Sequence, residues 1–395
     1  MSTSLRGWDP FRAAVVEVRW RGDTITEVEL LTDGTPLAPD GEPVLAAGLV
    51  DLQVNGFRGL DLNAPEISVD TVIGMTAALA GVGVTTWVPT VVTTAEERIH
   101  HALGQVAAAR AADPRVAAAV PFVHVEGPFI SDQEGARGVH DPALVRPLDA
   151  DEVARWVQGH DLVGVVTVSP HTADAPEQIR RIRTLGVSVS LGHTHATTDQ
   201  LSAAVDAGAT LATHLGNGIP SQLPRHPNAL WTLLAEDRVT AGVIADGHHL
   251  PAEVLTVMLR AKGVDRLFIV SDSTALAGRP PGRYRTPVGG QVDVGADGRL
   301  SFVGTDLLAG AGVDLAHGLR HLVADLGLDW ASALALATTT PGRVVAQTRL
   351  GRSTRPVGRV EAGGRADLVL LAPDGPDRGA VEAVVAGGIP VRSRG

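Results

Sequence analysis

The sequence predicts an α/β protein with a closed (β/α)8 barrel of the TIM-barrel type. Strand-like apolar runs alternate with helical runs through the middle of the chain, and eight such strands can be counted. Eight parallel strands with intervening helices form either a closed barrel or an open doubly wound sheet. The polar residues favour the barrel, because charged side chains repeatedly end these strands, where barrel enzymes carry their active sites.

The two ends of the chain predict a second, smaller domain. Residues 1–47 hold short alternating segments such as Ala14–Trp20 and Ile25–Leu30, and strand-like runs return after Gly358. We therefore expect a small β-sandwich built from both ends. The predicted division is 1–47 for its N-terminal part, 48–345 for the barrel and 346–395 for its C-terminal part.

The elements of the barrel follow in order. The predicted strands are Leu49–Val54, Gly83–Pro89, Ala117–Val125, Leu162–Val168, Val187–Leu191, Thr210–Thr213, Val239–Ala245 and Leu267–Val270. The predicted helices are 94–112, 176–185, 197–207, 251–262, 313–326 and 330–338. A hairpin-like insertion with turns at Gly289-Gly290 and Asp297-Gly298 is predicted over 284–302.

Composition excludes several functional classes. The 395 residues are 44% hydrophobic, which favours a packed domain over disorder. A net charge of −11 argues against a nucleic-acid partner, and the lack of cysteine excludes disulfides and thiolate metal sites. No apolar run is long enough to span a membrane, and the start lacks an apolar signal core. We expect a cytoplasmic protein with no membrane partner.

Three strand ends predict a metal site. The run Pro121–Val125 ends in Glu126, and Gly-Pro follows at once; two further strands end in His193 and His214. One carboxylate and two imidazoles leave an open position for water, as in catalytic zinc sites. A lone strand-end histidine is more often a hydrogen-bonded structural residue. Three such ligands at three strand ends favour the metal.

Asp272 ends the eighth strand and is the candidate general base. A carboxylate facing an activated water can take its proton and later deliver one to the leaving group. The alternative is a turn or helix-capping aspartate, since Ser271–Thr274 is good turn sequence. The position at the end of the last barrel strand favours catalysis.

The first strand carries amides where a second metal would want imidazoles. Gln53 and Asn55 are neutral and poor zinc ligands, so a single-metal site is predicted. These amides would contact substrate or water; that they only bond neighbouring loops is an equal alternative. Elsewhere, the glycines around Asn217 would let backbone N–H groups approach an anion, and Arg225 would add a phosphate contact.

With these residues in view, the chain resembles the N-acetylglucosamine-6-phosphate deacetylases of the amidohydrolase superfamily from Gly48 to its end. Gly48–Gly56 resembles the family's first strand in its Gln/Asn form, and His124–Pro128 resembles the motif whose glutamate binds metal. The segments around His193 and His214 are similar to those with the two ligand histidines. Ser271–Gly278 resembles the catalytic aspartate segment.

The resemblance implies further roles. His140 would lie near the amide carbonyl, while Asn217, the Gly218 backbone and His249 would contact the sugar phosphate. Arg225 would reach the phosphate in a neighbouring subunit, which implies a homodimer. Two segments depart from the family pattern, Asn217–Ile219 and Leu308–Leu315, and they leave the acyl group and the sugar open.

The predicted function is hydrolysis of the N-acetyl group of N-acetylglucosamine 6-phosphate, which gives glucosamine 6-phosphate and acetate. One divalent metal ion, expected to be zinc, would be held by Glu126, His193 and His214. Asp272 would be catalytic, and Gln53, His140, Asn217, Gly218, Arg225 and His249 would bind substrate. The alternatives are a deacylase of another N-acyl amino sugar (other epimer or unphosphorylated) and a metal-free binding barrel.

Overall fold

The computed structural model describes residues 3–32, 34, 37–39, 41–286, 290–375 and 377–391. Four strands precede the barrel: β1 (Thr3–Asp9), β2 (Ala14–Arg21), β3 (Thr24–Leu30) and β4 (Val44–Ala47). The first three form antiparallel pairs, and β4 runs parallel to β1. Val16, Val18 and Trp20 of β2 are buried on one face of this sheet, and Val15 is buried on the other.

The barrel consists of eight parallel strands in the order in which they occur in the chain. The strands of this region are β5 (Leu49–Val54), the short antiparallel pair β6 (Gly56–Phe57) and β7 (Leu60–Asp61), β8 (Val84–Val92), β9 (Val123–Glu126), β10 (Val163–Val168), β11 (Ser188–Leu191), β12 (Leu211–Ala212), β13 (Thr240–Ile244) and β14 (Leu267–Val270). A parallel bridge between Val54 and Ser273 joins the first strand to the last. The backbone N–H of Asp272 donates to the Gln53 carbonyl at 3.0 Å. The predicted barrel is confirmed.

Helices cover the barrel. They are α1 (Val69–Ala80), α2 (Glu96–Ala112), α3 (Pro114–Ala119), α4 (Ala150–His160), α5 (Ala175–Thr184), α6 (Thr198–Asp206), α7 (Ala229–Ala235), α8 (Ala252–Lys262), α9 (Leu315–Arg320), α10 (Trp330–Leu334) and α11 (Thr340–Gln347). π-helical turns at His321–Asp325 and Ala335–Thr339 extend α9 and α10, and Gly351–Ser353 forms a 3-10 turn. Among the described residues, every helix is too short or too polar to cross a membrane.

The predicted third strand began too early. Residues 117–119 belong to α3, because Asp113 accepts the Arg115 N–H at 2.8 Å and Pro114 occupies the first helical turn. The alanines there suit a helix, and the strand starts only at Val123. Helices α1, α4, α7 and α11 were also not predicted from the sequence.

The predicted insertion after the eighth strand is a three-stranded antiparallel sheet. Its strands are β15 (Gly282–Thr286), β16 (Gly290–Val294) and β17 (Leu300–Phe302). The first of its two predicted turns includes Gly289, which lies outside the described residues. Leu276, Val292, Val294 and Leu300 form its own small apolar cluster.

The end of the chain completes the N-terminal sheet. The strands β18 (Leu368–Leu371), β19 (Val381–Ala386) and β20 (Ile389–Val391) extend it in the order β20-β19-β18-β4-β1-β2-β3. Val15 and Val44 pack into the main barrel cluster, whereas Val16 and Leu45 belong to a second cluster. Both chain ends therefore form one sheet packed against the barrel, and the exact division into domains stays a prediction.

Candidate metal and catalytic site

Three potential metal ligands meet at the carboxyl ends of three barrel strands. Glu126 ends β9, while His193 and His214 follow β11 and β12, and all three are buried. Glu126 Oε1 lies 3.2 Å from His193 Nε2 and 2.9 Å from His214 Nε2. The two Nε2 atoms are 3.1 Å apart. The sequence analysis named these three residues, and the structure brings them together.

The donor set fits a divalent metal ion. His193 Nδ1 lies 2.9 Å from the Ala136 carbonyl and can donate to it, and Nε2 is the ring nitrogen that faces Glu126 and would bind the ion. One carboxylate oxygen and two imidazole nitrogens are the ligand types of catalytic zinc sites. His214 Nδ1 is buried and has no hydrogen-bond partner among the described residues.

Electrostatics within the trio also favour a cation. Burial alone would raise the pKa of Glu126, but hydrogen bonds with His193 and His214 hold that pKa well below its ordinary value. Burial would lower the pKa of His214, yet the hydrogen bond to Glu126 raises it to about 9. The carboxylate thus stays ionised in a buried place and attracts positive charge.

Backbone strain marks the same strand ends. His193, His214 and Asp272 have positive φ values of 46°, 29° and 49°. Such left-handed conformations cost of order 1–3 kcal/mol for residues other than glycine, and they cluster at functional sites. Three strained residues around one cavity indicate that the placement of their side chains serves function at the expense of local backbone stability.

Asp272 faces the three ligands from the end of β14. Burial, and next the charge of Glu126, raise the pKa of Asp272 to about 6. Asn55 Nδ2 donates to Asp272 Oδ1 at 2.7 Å and acts in the opposite direction. A carboxyl group with a pKa near neutrality is suited to taking and returning a proton.

The side-chain amides at the end of the first barrel strand, β5, donate hydrogen bonds to carboxylates. Gln53 Nε2 donates to Glu126 Oε1 at 3.1 Å, and Asn55 donates to Asp272. These two contacts were not predicted, because each joins residues that are far apart in the sequence: one runs from β5 to β9 and the other from the end of β5 to the end of β14. A substrate contact of Gln53 stays a prediction. Asn55 Oδ1 is buried, without a partner among the described residues, in a side chain that lines the cavity.

A cavity of about 290 Å³ contains these groups. Its lining includes the three candidate ligands, Asp272 and the predicted substrate contacts His140, Asn217, Gly218 and His249. The Asn217 Nδ2 atom is buried and lacks a partner among the described residues. His249 Nδ1 lies 2.7 Å from Asp246 Oδ2, which orients the ring.

His140 lies beside the metal ligands. Its Nδ1 is 2.8 Å from Thr93 Oγ1, and its ring meets that of His193 edge-on. Burial, and then the neighbouring His193, lower the pKa of His140 to about 3. The imidazole is therefore neutral at physiological pH.

Two predicted substrate contacts are absent from the cavity lining. Gln53 is buried and donates to Glu126 instead, and the other residue is Arg225. It is exposed, in the loop before α7, and it is not part of the cavity lining of its own chain. Conversely, Asp61 and Asn63 line the cavity, and the sequence analysis missed them. Their position just after the first barrel strand was the available signal.

Asp51 was also missed as a structural residue. It is fully buried and accepts the Ser271 N–H at 3.1 Å and the Gln53 N–H at 3.3 Å. Burial raises the pKa of Asp51 to about 7. Its carboxyl group thus ties β5 to the end of β14, where the barrel closes.

Comparison with known proteins agrees with this geometry. Residues 44–390 match the model of the amidohydrolase family. The chain therefore belongs to the amidohydrolase family, a family of metal-dependent hydrolases. Bovine N-acetylglucosamine-6-phosphate deacetylase (Bos taurus) is 35% identical over 344 residues, which cover 84% of this chain and 80% of the relative. With that identity, the chain falls among the N-acetylglucosamine-6-phosphate deacetylases, as the sequence analysis predicted.

Two further proteins are informative. The N-acetylgalactosamine-6-phosphate deacetylase of Shewanella sp. (strain ANA-3) is 31% identical, over 84% of this chain and 79% of the relative. A substituted form of the Mycobacterium smegmatis N-acetyl-D-glucosamine-6-phosphate deacetylase, solved with N-acetyl-D-glucosamine-6-phosphate, superposes with a TM-score of 0.82 at 29% identity. That match covers 98% of this chain and 99% of the other.

Proposed function

We propose that this protein hydrolyses the N-acetyl group of N-acetylglucosamine 6-phosphate to give glucosamine 6-phosphate and acetate. The carrying observation is the convergence of Glu126, His193 and His214 with Asp272 in one cavity. The chain's relatives named for this activity support the same reaction.

A divalent ion held by Glu126, His193 and His214 would polarise the amide carbonyl and make water a better nucleophile near neutral pH. We propose zinc, because the ligands are one oxygen and two nitrogens. We also propose a homodimer, which the family resemblance at Arg225 implies, and a cytoplasmic location.

Asp272 performs the proton transfers in this proposal. Its carboxylate takes a proton from the attacking water and then gives one to the departing amine. Asn55 holds the carboxyl group in place through the 2.7 Å hydrogen bond. His140 lies beside the carbonyl oxygen in this proposal, and its neutral ring donates to that oxygen when Nε2 carries the proton and Nδ1 accepts from the Thr93 hydroxyl.

The phosphate lies on the side of Asn217, Gly218 and His249 in this proposal. The unpartnered Asn217 amide supports such a contact, since a buried amide donor without a partner is costly. Arg225 is exposed and lies outside the cavity of its own chain, which supports a role in the substrate cavity of a second copy of the protein. Replacement by alanine should then raise KM for the phosphorylated sugar alone.

A second candidate is the galactosamine epimer of the same substrate. Relatives named N-acetylgalactosamine-6-phosphate deacetylase are as similar as several of the glucosamine enzymes. The decisive contacts would be those to the sugar hydroxyls.

The test is kcat/KM on one zinc-loaded preparation with N-acetylglucosamine 6-phosphate, its galactosamine epimer and unphosphorylated N-acetylglucosamine. We expect the first substrate to exceed the unphosphorylated sugar by at least about 100-fold, because hydrogen bonds to charged groups contribute roughly 1.5–3 kcal/mol each. Faster turnover of the epimer would select the second candidate. Preference for the unphosphorylated sugar would overturn the phosphate assignment.

A further inference from the structure

A second cavity of about 520 Å³ adjoins the substrate cavity. The two cavities share four lining residues, which form a wall between them: Asn63, Val92, Val139 and His140. The second cavity is the larger of the two, since the substrate cavity measures about 290 Å³. The proposed reaction gives it no role.

The chemistry of the second cavity suits an apolar guest. Eight of its fourteen lining residues are apolar, and six of these lie outside the shared wall: Leu62, Pro65, Ile67, Val91, Ala102 and Leu144. Arg98 also lines it, but donates to the carbonyls of Ala64 at 2.8 Å and Pro65 at 2.9 Å. Asp141 is exposed and accepts the Ala143 N–H at 2.9 Å. Mostly apolar cavities with few polar groups are typical of small-molecule sites.

The shared wall has a fixed part and a less restrained part. Asn63 is held on both sides, because its Oδ1 accepts the Val92 N–H at 2.9 Å and its Nδ2 donates to the Thr90 carbonyl at 3.2 Å. Val139, in contrast, is 42% exposed and follows a glycine with a φ of 61°. Displacement of the Val139 side chain would connect the two cavities.

The wall also lies beside the reacting carbonyl in the proposed function. His140 contacts that carbonyl there, and the same ring lines the second cavity. Its partner Thr93 belongs to the second cavity as well. Val139 is next to His140 in this wall, so an acyl chain that extends from the carbonyl carbon toward the second cavity would meet Val139 first.

We propose that the second cavity receives the tail of N-acyl groups longer than acetyl, so that the enzyme also hydrolyses amino-sugar phosphates with linear butanoyl or hexanoyl chains. The inference rests on the proposed function and keeps its chemistry. Water adds its oxygen to the acyl carbon, the C–N bond breaks, and the amine takes the proton. The products are the amino-sugar phosphate and the longer carboxylate.

The experiment compares N-acetyl-, N-butanoyl- and N-hexanoylglucosamine 6-phosphate on the zinc-loaded full chain, with amine release as the readout. Leu144→Trp fills the second cavity from a position outside the shared wall. We expect it to lower the butanoyl-to-acetyl ratio of kcat/KM at least about tenfold, since one methylene in an apolar pocket is worth about 10–200-fold. The control is Val257→Trp on α8, which is 46% exposed and in the lining of neither cavity, and should leave the ratio unchanged.

Val139→Ala provides a second variant should Leu144→Trp fail to fold. Removal of the wall side chain should raise the hexanoyl-to-acetyl ratio. Turnover of the acetyl substrate without any turnover of butanoyl or hexanoyl substrates would overturn this inference and leave the proposed function standing. No turnover of any of the three would instead overturn the proposed function.

Discussion

The two halves of the substrate cavity offer opposite chemistry. On the side of β9, β11 and β12, the acceptor atoms of Glu126, His193 and His214 lie within 4.8 Å of one another. Gln53 adds a donor to this group, because its Nε2 donates to Glu126 Oε1. On the side of β14, the Asn55 amide donates to the Asp272 carboxylate. The acceptor atoms of the first half require a cation between them, whereas the Asp272 carboxylate of the second half already has a hydrogen-bond donor in Asn55. The metal therefore belongs to the first half, and proton transfer to the second.

Glu126→Gln should break this division most severely. The variant removes the only carboxylate among the three candidate ligands, so we expect the bound metal to be lost. The loss in kcat/KM should exceed the roughly 10²–10⁴-fold that a general acid–base residue supplies, because carbonyl polarisation is lost as well. Metal analysis beside kinetics checks this. Equal metal content in variant and wild type would show that the ion lies elsewhere.

Asp272→Asn should impair proton transfer without removing the metal ion. The metal should remain, while kcat falls by about 10²–10⁴-fold, because the proton can no longer be transferred. In the wild type, the reaction needs ionised Asp272, so activity should fall as the pH drops through a pKa of about 6 or lower, since a bound cation favours the carboxylate. The acid limb of the pH profile should disappear in the variant. Turnover close to that of the wild type would exclude Asp272 as the base.

Asn55→Ala should have a smaller effect on the proton-transfer half. Loss of its hydrogen bond should lower kcat by about 10–100-fold, as for other residues that orient reactive groups. The bond lowers the pKa of Asp272, so its removal should shift the acid limb to higher pH. Asn228→Ala is the control, because Asn228 caps α7 and bonds the Pro224 carbonyl, lies outside the cavity lining and should leave the profile in place. An unshifted profile in Asn55→Ala would mean that the contact does not tune Asp272.

Gln53→Leu should give the smallest change and touch the metal half alone. Glu126 would lose one hydrogen-bond donor while its metal-binding oxygen remains. Metal affinity should fall about tenfold, with kcat little changed at saturating metal. A competition titration with a chelator measures this. If a higher substrate concentration, rather than a higher metal concentration, restored the activity of the variant, Gln53 would instead be assigned to substrate binding.

The three metal ligands and Asp272 could be predicted from the sequence, whereas the hydrogen bonds of Gln53 and Asn55 could not. Glu126, His193 and His214 each end an apolar strand, so their meeting follows once a barrel is predicted. The hydrogen bonds of Gln53 and Asn55 depend on the position of β5 relative to β9, two strands away, and relative to the end of β14, where the barrel closes. That register has no signature within any single strand.

Local ambiguity explains the remaining differences. Residues 117–119 were predicted as strand because small apolar residues suit either structure, and the Asp113 cap with Pro114 decides for helix. The cavity behind His140 involves loops after β5, β8 and β9, whose packing no pattern in the sequence indicates. The predicted role of Arg225 involves a second chain.

Anomalous scattering from crystals of the zinc-loaded protein tests the division between the two halves most directly. We predict one peak per chain, about 2.0–2.2 Å from Glu126 and from the Nε2 atoms of His193 and His214. No peak should lie within coordination distance of the side-chain amides of Gln53 and Asn55. An ion bound by those two amides, or activity in crystals without any ion at the three ligands, would contradict the assignment.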